Sequence, residues 1–416
     1  MKTFLAFRTS ENIIKQGVWG GGYNAYVVFV IPFLIRLGSS ITWISIYIGV
    51  TSVGYLLIGP LTIIRLQNSK KKKAWLVWSC IFSRTTLAVA CMAPFCGNYK
   101  ASMGALVFII FSIPANIYGA LFLPIPGLLI KPQDQPVGLN LRLRMAYIGN
   151  FIANIIFTIL MLLFQYPYNF MALFIVSIFF GAMEVGIVIK LDVYSSDDDA
   201  STGFMQKVRS HEIMKEKNYL IFIAMVTLMV FTVSIATPLQ SVYYLRQLHF
   251  SDLWFSVWAD ILLLGMIVGN VLWRKFQLRY SNYSAMCVAI LFAGFYYFFI
   301  SISSNALLLL LIVGFAGFMN AGGELGITLT LFRLGSAARR SLMINIYAGV
   351  VLAISFFSSF FLNFFTHRYQ LKTIFSYSFI FRTSSALLFL LPSMRRRFDD
   401  TAVHVEQEII EETECP

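Results

Sequence analysis

The stretch LDVYSSDDDASTGFMQKVRSHEIMKEKN, Leu191 to Asn218, decides how the chain is read. It is the one long polar interruption in an apolar sequence, and the tracts on either side are of similar length. Such an interruption reads as a linker outside a membrane that both halves enter. Its start is acidic (Asp197, Asp198, Asp199) and its end basic (Lys207, Arg209, Lys215, Lys217). The basic part is expected along the membrane surface, where Lys and Arg meet anionic headgroups.

Composition supports the membrane reading. Of 416 residues, 58% are hydrophobic and only 12% charged, against about 25% charged in a soluble domain. Twelve spans of ~20–22 residues would use about 250 residues. Forty Phe and twenty Tyr suit lipid-facing surfaces and interfacial belts. The net charge of +13 sits in short loops between apolar runs, a matter of membrane topology and not of nucleic-acid binding. The cysteines (Cys80, Cys91, Cys96, Cys287, Cys415) lack metal-ligand spacing and imply no disulfide framework. The N-terminus lacks the apolar core and small-residue cleavage site of a signal peptide. No phosphate loop, Cys/His cluster or nucleophile motif appears, so neither an enzyme nor a cofactor or metal is expected.

Cutting at charges and turn residues predicts twelve helices, over residues 17–35, 42–63, 74–94, 103–129, a fifth running from the loop of Lys131, Arg142 and Arg144 to about 164, then 169–188, 219–242, 253–273, 284–302, 306–331, 342–364 and 373–391. The domains expected are a six-helix bundle over 1–190, the linker 191–218, a second bundle over 219–393 and an acidic, disordered tail over 394–416. Alternate loops differ in charge. One set holds Lys70 to Lys73, Arg142, Arg144, Arg274, Arg279, Arg339 and Arg340; the other holds only Arg36, Lys100, Arg246, Arg368 and Lys372. The positive-inside rule puts the first set, both termini and the linker in the cytoplasm.

The halves share a repeat. PFLIRLGSSITWIS (Pro32 to Ser45) aligns with YYLRQLHFSDLWFS (Tyr243 to Ser256) at an offset of 211. Leu34, Leu37, Ser40, Trp43 and Ser45 fall on Leu245, Leu248, Ser251, Trp254 and Ser256, and Gly54 falls on Gly265. Both segments join the first and second helix of their half.

With this architecture the chain resembles the transporters of the major facilitator superfamily, from the first predicted helix to the last. The family's loop between helices 2 and 3 is matched in kind by GPLTIIRLQNSKKKK (Gly59 to Lys73): Gly59, Leu61, Arg65 and the basic run are present, while Ile63 stands near the family's aspartate and the second glycine is missing. The drug-antiporter glycine–proline motif of helix 5 is absent from RMAYIGNFIANIIF, and helix 4 carries no arginine. The resemblance implies an all-α membrane fold of two pseudo-symmetric six-helix bundles, alternating access, and a solute cavity lined by helices 1, 4, 7 and 10.

Charge inside a bilayer is costly and marks function or a dedicated partner. Five such residues stand out: Arg84, Glu184, Asp260, Glu324 and Arg382. Arg84 and Arg382, on helices that the resemblance places at the bundle periphery, read as structural charges, with Glu184 the natural partner of Arg84. Glu324, in NAGGELGITLT, reads either as a proton-exchanging or cation-binding carboxylate or as a partner of Arg333. Asp260 reads as a second proton-coupling candidate or as a partner of Arg246 or a neighbouring helix. Tyr23, Asn24, Tyr26, Asn116, Tyr118, Thr237, Gln240 and Asn320 lie on the helices that the resemblance assigns to the cavity. With Glu324 they offer amides and phenols to a neutral or weakly cationic solute, or else hold helices together. Pro114, Pro124, Pro126 and Pro238 mark bends. The sequence thus leads to a monomeric secondary transporter of a small organic solute in the cell membrane, exporting it and coupled to protons. Uptake or uniport, and a non-transporting receptor or lipid-handling protein, are the competing readings.

Overall fold

A computed structural model describes residues 2–66, 71–122, 135–191, 216–279, 282–334 and 337–391, with Ser69, Ile125 and Leu129 between them. The linker, apart from its two ends, and the C-terminal tail fall outside these residues, as do Pro124 and Pro126. Among the described residues the structure is helical, without strands: α1 (Lys2–Asn24), α2 (Val27–Arg36), α3 (Ile41–Leu66), α4 (Lys72–Ala90), α5 (Lys100–Phe122), α6 (Gln135–Leu163), α7 (Tyr168–Ile189), α8 (Lys217–Val242), α9 (Asp252–Arg279), α10 (Asn282–Ile302), α11 (Ala306–Leu334), α12 (Ala337–Arg368) and α13 (Leu371–Phe389).

Together α1 and α2 form the first predicted span. It is longer than predicted and interrupted at Ala25 and Tyr26. Three glycines, Gly20 to Gly22, weaken the preceding turn, and the amide of Phe29 donates to the Tyr26 carbonyl at 2.8 Å to restart the helix. A π-helical turn, Tyr243–Gln247, ends α8 five residues after Pro238. Among the described residues eleven spans are long and apolar enough to cross a membrane. The remaining helix, α13, has 19 residues and carries Lys372 and Arg382 among its serines and threonines, which lowers its hydropathy. The protein is a multi-pass membrane protein.

The chain divides into two compact units: Met1–Asp199 with Thr237–Leu263 and Ser355–His367, and Ala200–Ala236 with Leu264–Ile354 and Arg368–Pro416. In the first, α1 and α6 meet backbone to backbone. A Cβ added at Gly21 would lie 2.1 Å from the Ala146 carbonyl oxygen, and one at Gly149 2.0 Å from that of Val18. Small residues at such crossings let helices approach where lipid gives no hydrophobic drive. In the second, α9 and α11 cross in the same way, a Cβ at Gly265 falling 2.2 Å from the Gly314 oxygen. There Tyr219, Phe222, Met286, Ile290 and Phe389 form a buried core, fixed by hydrogen bonds from the Tyr219 hydroxyl to the Met343 carbonyl and from Tyr283 to Phe389, both 2.8 Å.

The repeat is also a repeat of conformation. Gly38 and His249, 211 residues apart, both have positive φ, +86° and 54°. Each ends the first helix of its half by entering the left-handed region. Ser40 then accepts from the Trp43 amide at 3.3 Å, and Ser251 from the Trp254 amide at 3.1 Å: the same N-cap begins the next helix in each half.

Candidate functional site

Arg84 and Glu184 are both buried, their side chains 8% and 2% exposed, and they form an ion pair between α4 and α7. Ionic groups are tolerated in such a place only when their remaining donors and acceptors are met. Ser83 Oγ accepts from Arg84 at 2.5 Å. Glu184 Oε1 accepts from Gln16 at 2.7 Å and from the Tyr118 hydroxyl at 2.8 Å. Arg142 donates to Gln16 Oε1 at 2.9 Å, and the Tyr23 hydroxyl donates to the Ser83 carbonyl at 2.8 Å. The Arg84 guanidinium lies 4.4 Å from the Tyr23 ring centroid and 4.5 Å from that of Tyr118. Glycines make the room: a Cβ at Gly20 would lie 2.9 Å from Glu184 Oε1, and one at Gly181 2.5 Å from Arg84 Cγ. Five helices, α1, α4, α5, α6 and α7, are tied to one charge pair.

A second polar group in the same unit joins the two repeat segments. Arg36 donates to Asp252 at 2.8 Å and to the Phe250 carbonyl at 3.5 Å. Asn169 donates to the other Asp252 oxygen at 3.3 Å. In return Arg246 donates to the Ser39 carbonyl. Each corner thus sends an arginine to the backbone of the other. Beside them the Tyr166 hydroxyl is buried without a partner; burial and the Asp252 carboxylate push its pKa up, opposed by Arg36. Next along α9 come apolar rings. Phe29 meets Phe157 at 5.7 Å and Phe255 at 6.0 Å between centroids, and each of the three is at most 2% exposed. Asp260 follows, two turns along α9 from Asp252. Thr158 of α6 donates to Asp260 Oδ2 at 2.5 Å and lies 2.6 Å from Ser256 Oγ. Asp260 Oδ1 is buried without a partner. The partner considered for Asp260, Arg246, is engaged at Ser39, and a hydroxyl on a neighbouring helix is what meets the carboxylate.

In the second unit Arg382 is 5% exposed. It donates to Asn320 Oδ1 at 2.8 Å and lies 5.7 Å from the Tyr297 ring centroid. Glu324, one turn beyond Asn320 on α11, is exposed. Of the remaining candidates, Asn24 and Thr237 are exposed, and Gln240 and Asn116 are buried, with no partner at Asn116 Nδ2. Gly59 lies within α3, and Arg65 is exposed in its last turn. Among the described residues no three His, Cys, Asp or Glu side chains gather as metal ligands.

Sequence reading missed Gln16, Arg142, Arg36, Asp252 and Thr158. Gln16 lies just before the predicted start of helix 1. Arg36 and Arg142 read in the sequence as loop charges that set topology. Asp252 faces Ile41 under the repeat offset, a substitution of acid for apolar residue that could have flagged it. Nothing distinguishes Thr158 from other helical threonines.

No family model matches the chain, and no curated protein matches its sequence. Solved structures do. It is similar to a D-xylose–proton symporter (TM-score 0.68, 12% identity, 91% of this chain and 96% of that one covered). It is similar to the nucleoside transporter NupG (0.67, 13%, 93% and 99%). It is also similar to a bacterial homologue of the iron transporter ferroportin in its inward-facing state (0.70, 13%, 92% and 98%). This chain, read from its charges and its repeat as two six-helix halves, has the fold of the major facilitator superfamily transporters.

Proposed function

We propose that the protein is a secondary transporter that exports a small organic solute across the cell membrane by alternating access, coupled to protons, and that it works as a monomer with both termini in the cytoplasm. The observation that carries the transport reading is the fold, shared over more than nine-tenths of the chain with sugar, nucleoside and metal transporters. The solute is met by neutral polar groups, chief among them Asn24, with its exposed side chain, and Asn116, whose buried amide nitrogen has no protein partner. Tyr23, Tyr118 and Asn320 are engaged with Ser83, Glu184 and Arg382, so they serve the solute by holding the helices that carry its contacts. Glu324, exposed on α11, and Asp260 are the carboxylates assigned to coupling. The sidedness follows from the basic loops. The chain reads as two bundles, 1–190 and 219–393, tethered by residues 191–218.

The test is solute flux from proteoliposomes with and without an imposed pH gradient. Coupled export predicts that an inward proton gradient speeds wild-type efflux several-fold and that Glu324→Gln abolishes the acceleration. Equal flux in both proteins, with or without the gradient, would leave uniport as the mechanism.

A further inference from the structure

We infer that Asp260, positioned by Thr158, is a proton-binding site built into the contact between α6 and α9, so that a proton acts on the closure of this end of the protein and not on the solute directly. The inference rests on the transport reading and gives its coupling step a place.

Three features of the geometry lead there. First, among the described residues Asp260 forms no ion pair. Its polar neighbours are two hydroxyls, Thr158 and Ser256. Of the charged groups on the packed elements, Arg36 is taken by Asp252, about 12 Å along α9 at 1.5 Å per residue. Arg246, at the end of α8, is turned to Ser39. Arg142 lies sixteen residues away on α6 and is engaged with Gln16. From α8, Tyr244 packs its ring on Trp258 and Trp254.

Second, hydrogen-bond capacity fits a neutral carboxyl. Ionised, Asp260 accepts one hydrogen bond at Oδ2 while Oδ1 holds charge with no donor near it. An ionised group so placed pays a large desolvation cost. Protonated on Oδ2, it donates to Thr158, which turns its own hydrogen to Ser256, so the hydroxyl pair takes up the added proton and the carboxyl carries no charge. The heavy atoms need not move between the two states, since the Thr158–Ser256 contact serves with either atom as donor.

Third, the site is shielded on one side. Phe29, Phe157 and Phe255 lie between it and the Arg36–Asp252 pair, each at most 2% exposed. Parting α6 from α9 breaks the Thr158 bond and opens the buried Oδ1 to water, a gain that is largest for the ionised carboxylate. Loss of the proton therefore favours parting, and its return favours closure.

The step is a simple proton transfer. Water delivers H⁺ to Asp260 Oδ2 when the helices are apart, and the proton leaves by the same oxygen after they next separate.

The test needs no solute. Spin labels at the exposed positions Tyr99 and His367, on a background with the five cysteines replaced, report the distance across this end by pulsed electron resonance. In wild type the closed-to-open ratio is expected to fall about tenfold between pH 5 and pH 9, the change that one unit of linked proton affinity gives. Asp260→Asn should stay closed at both pH values. Asp260→Glu should keep the pH response, and Thr158→Val should shift its midpoint. A pH-independent distance in wild type, or an unchanged response in Asp260→Asn, overturns the inference. If Asp260→Asn does not fold, an unshifted midpoint in Thr158→Val overturns it. A pH-dependent distance in a protein that fails to move solute would sink the transport reading and leave the proton site standing.

Discussion

At the scale of single residues, the Arg84–Glu184 pair shows how an intramembrane charge is made tolerable. The pair itself repays little of its desolvation; Gln16, Tyr118, Ser83 and the two tyrosine faces supply the rest. Arg84→Met alone leaves Glu184 buried beside neutral donors. It should cost about 3–5 kcal/mol, the range found when a buried pair loses one partner, and lower the melting temperature of detergent-purified protein accordingly. Arg84→Met with Glu184→Leu should recover much of the loss. A single substitution no more harmful than the double would show that the pair is not the unit of stability. The candidacy of these two residues was legible because charge in an apolar run is conspicuous. The network around them was not, because glutamine, tyrosine and serine carry no such signal, and Gln16 sits in a turn read as preceding the first span.

At the scale of elements, glycine sets the helix crossings and the repeat sets the corners. Gly149→Leu should destabilise the protein by about 1–3 kcal/mol through overpacking against α1, since Val18 backbone occupies the space of its Cβ. Gly186→Leu, whose Cβ would meet nothing within 4 Å, is the control and should be close to neutral in the same melt. The caps offer a symmetric test. Ser40→Ala and Ser251→Ala should each cost about 0.5–2 kcal/mol, by similar amounts if the two corners are equivalent structures. Strongly unequal losses would confine the repeat to sequence. Helix positions could be read from the spacing of charges, and the corner repeat from the 211-residue offset. The break at Ala25 could not, because it arises from the summed weakness of three glycines that are equally at home in a membrane helix crossing. The weak hydropathy of α13 has a plain cause in Lys372 and Arg382, yet buried Phe375 and Phe389 hold that helix in its unit.

At the scale of the whole molecule, alternating apolar runs, a charge-biased set of loops and a half-length repeat were enough to reach the fold. They do not reach the solute, since recognition depends on which few amides and phenols share a space, and sequence order says little about that. The arginines of the two corners illustrate the point. In the sequence Arg36 and Arg246 read as sparse loop charges that set topology, whereas each reaches the backbone of the other repeat and, with Asp252 and Asn169, ties residues 32–45 to residues 243–256. Under the alternating access proposed for the chain, such ties would be made and broken in every cycle. The most direct test of that cycle is counterflow. A solute found by thermal stabilisation of the purified protein is loaded into proteoliposomes at high concentration, and a trace of labelled solute is added outside. The account predicts transient accumulation of label above its equilibrium level, weakened in Asn24→Ala; stabilisation by the solute with no exchange of label would contradict it.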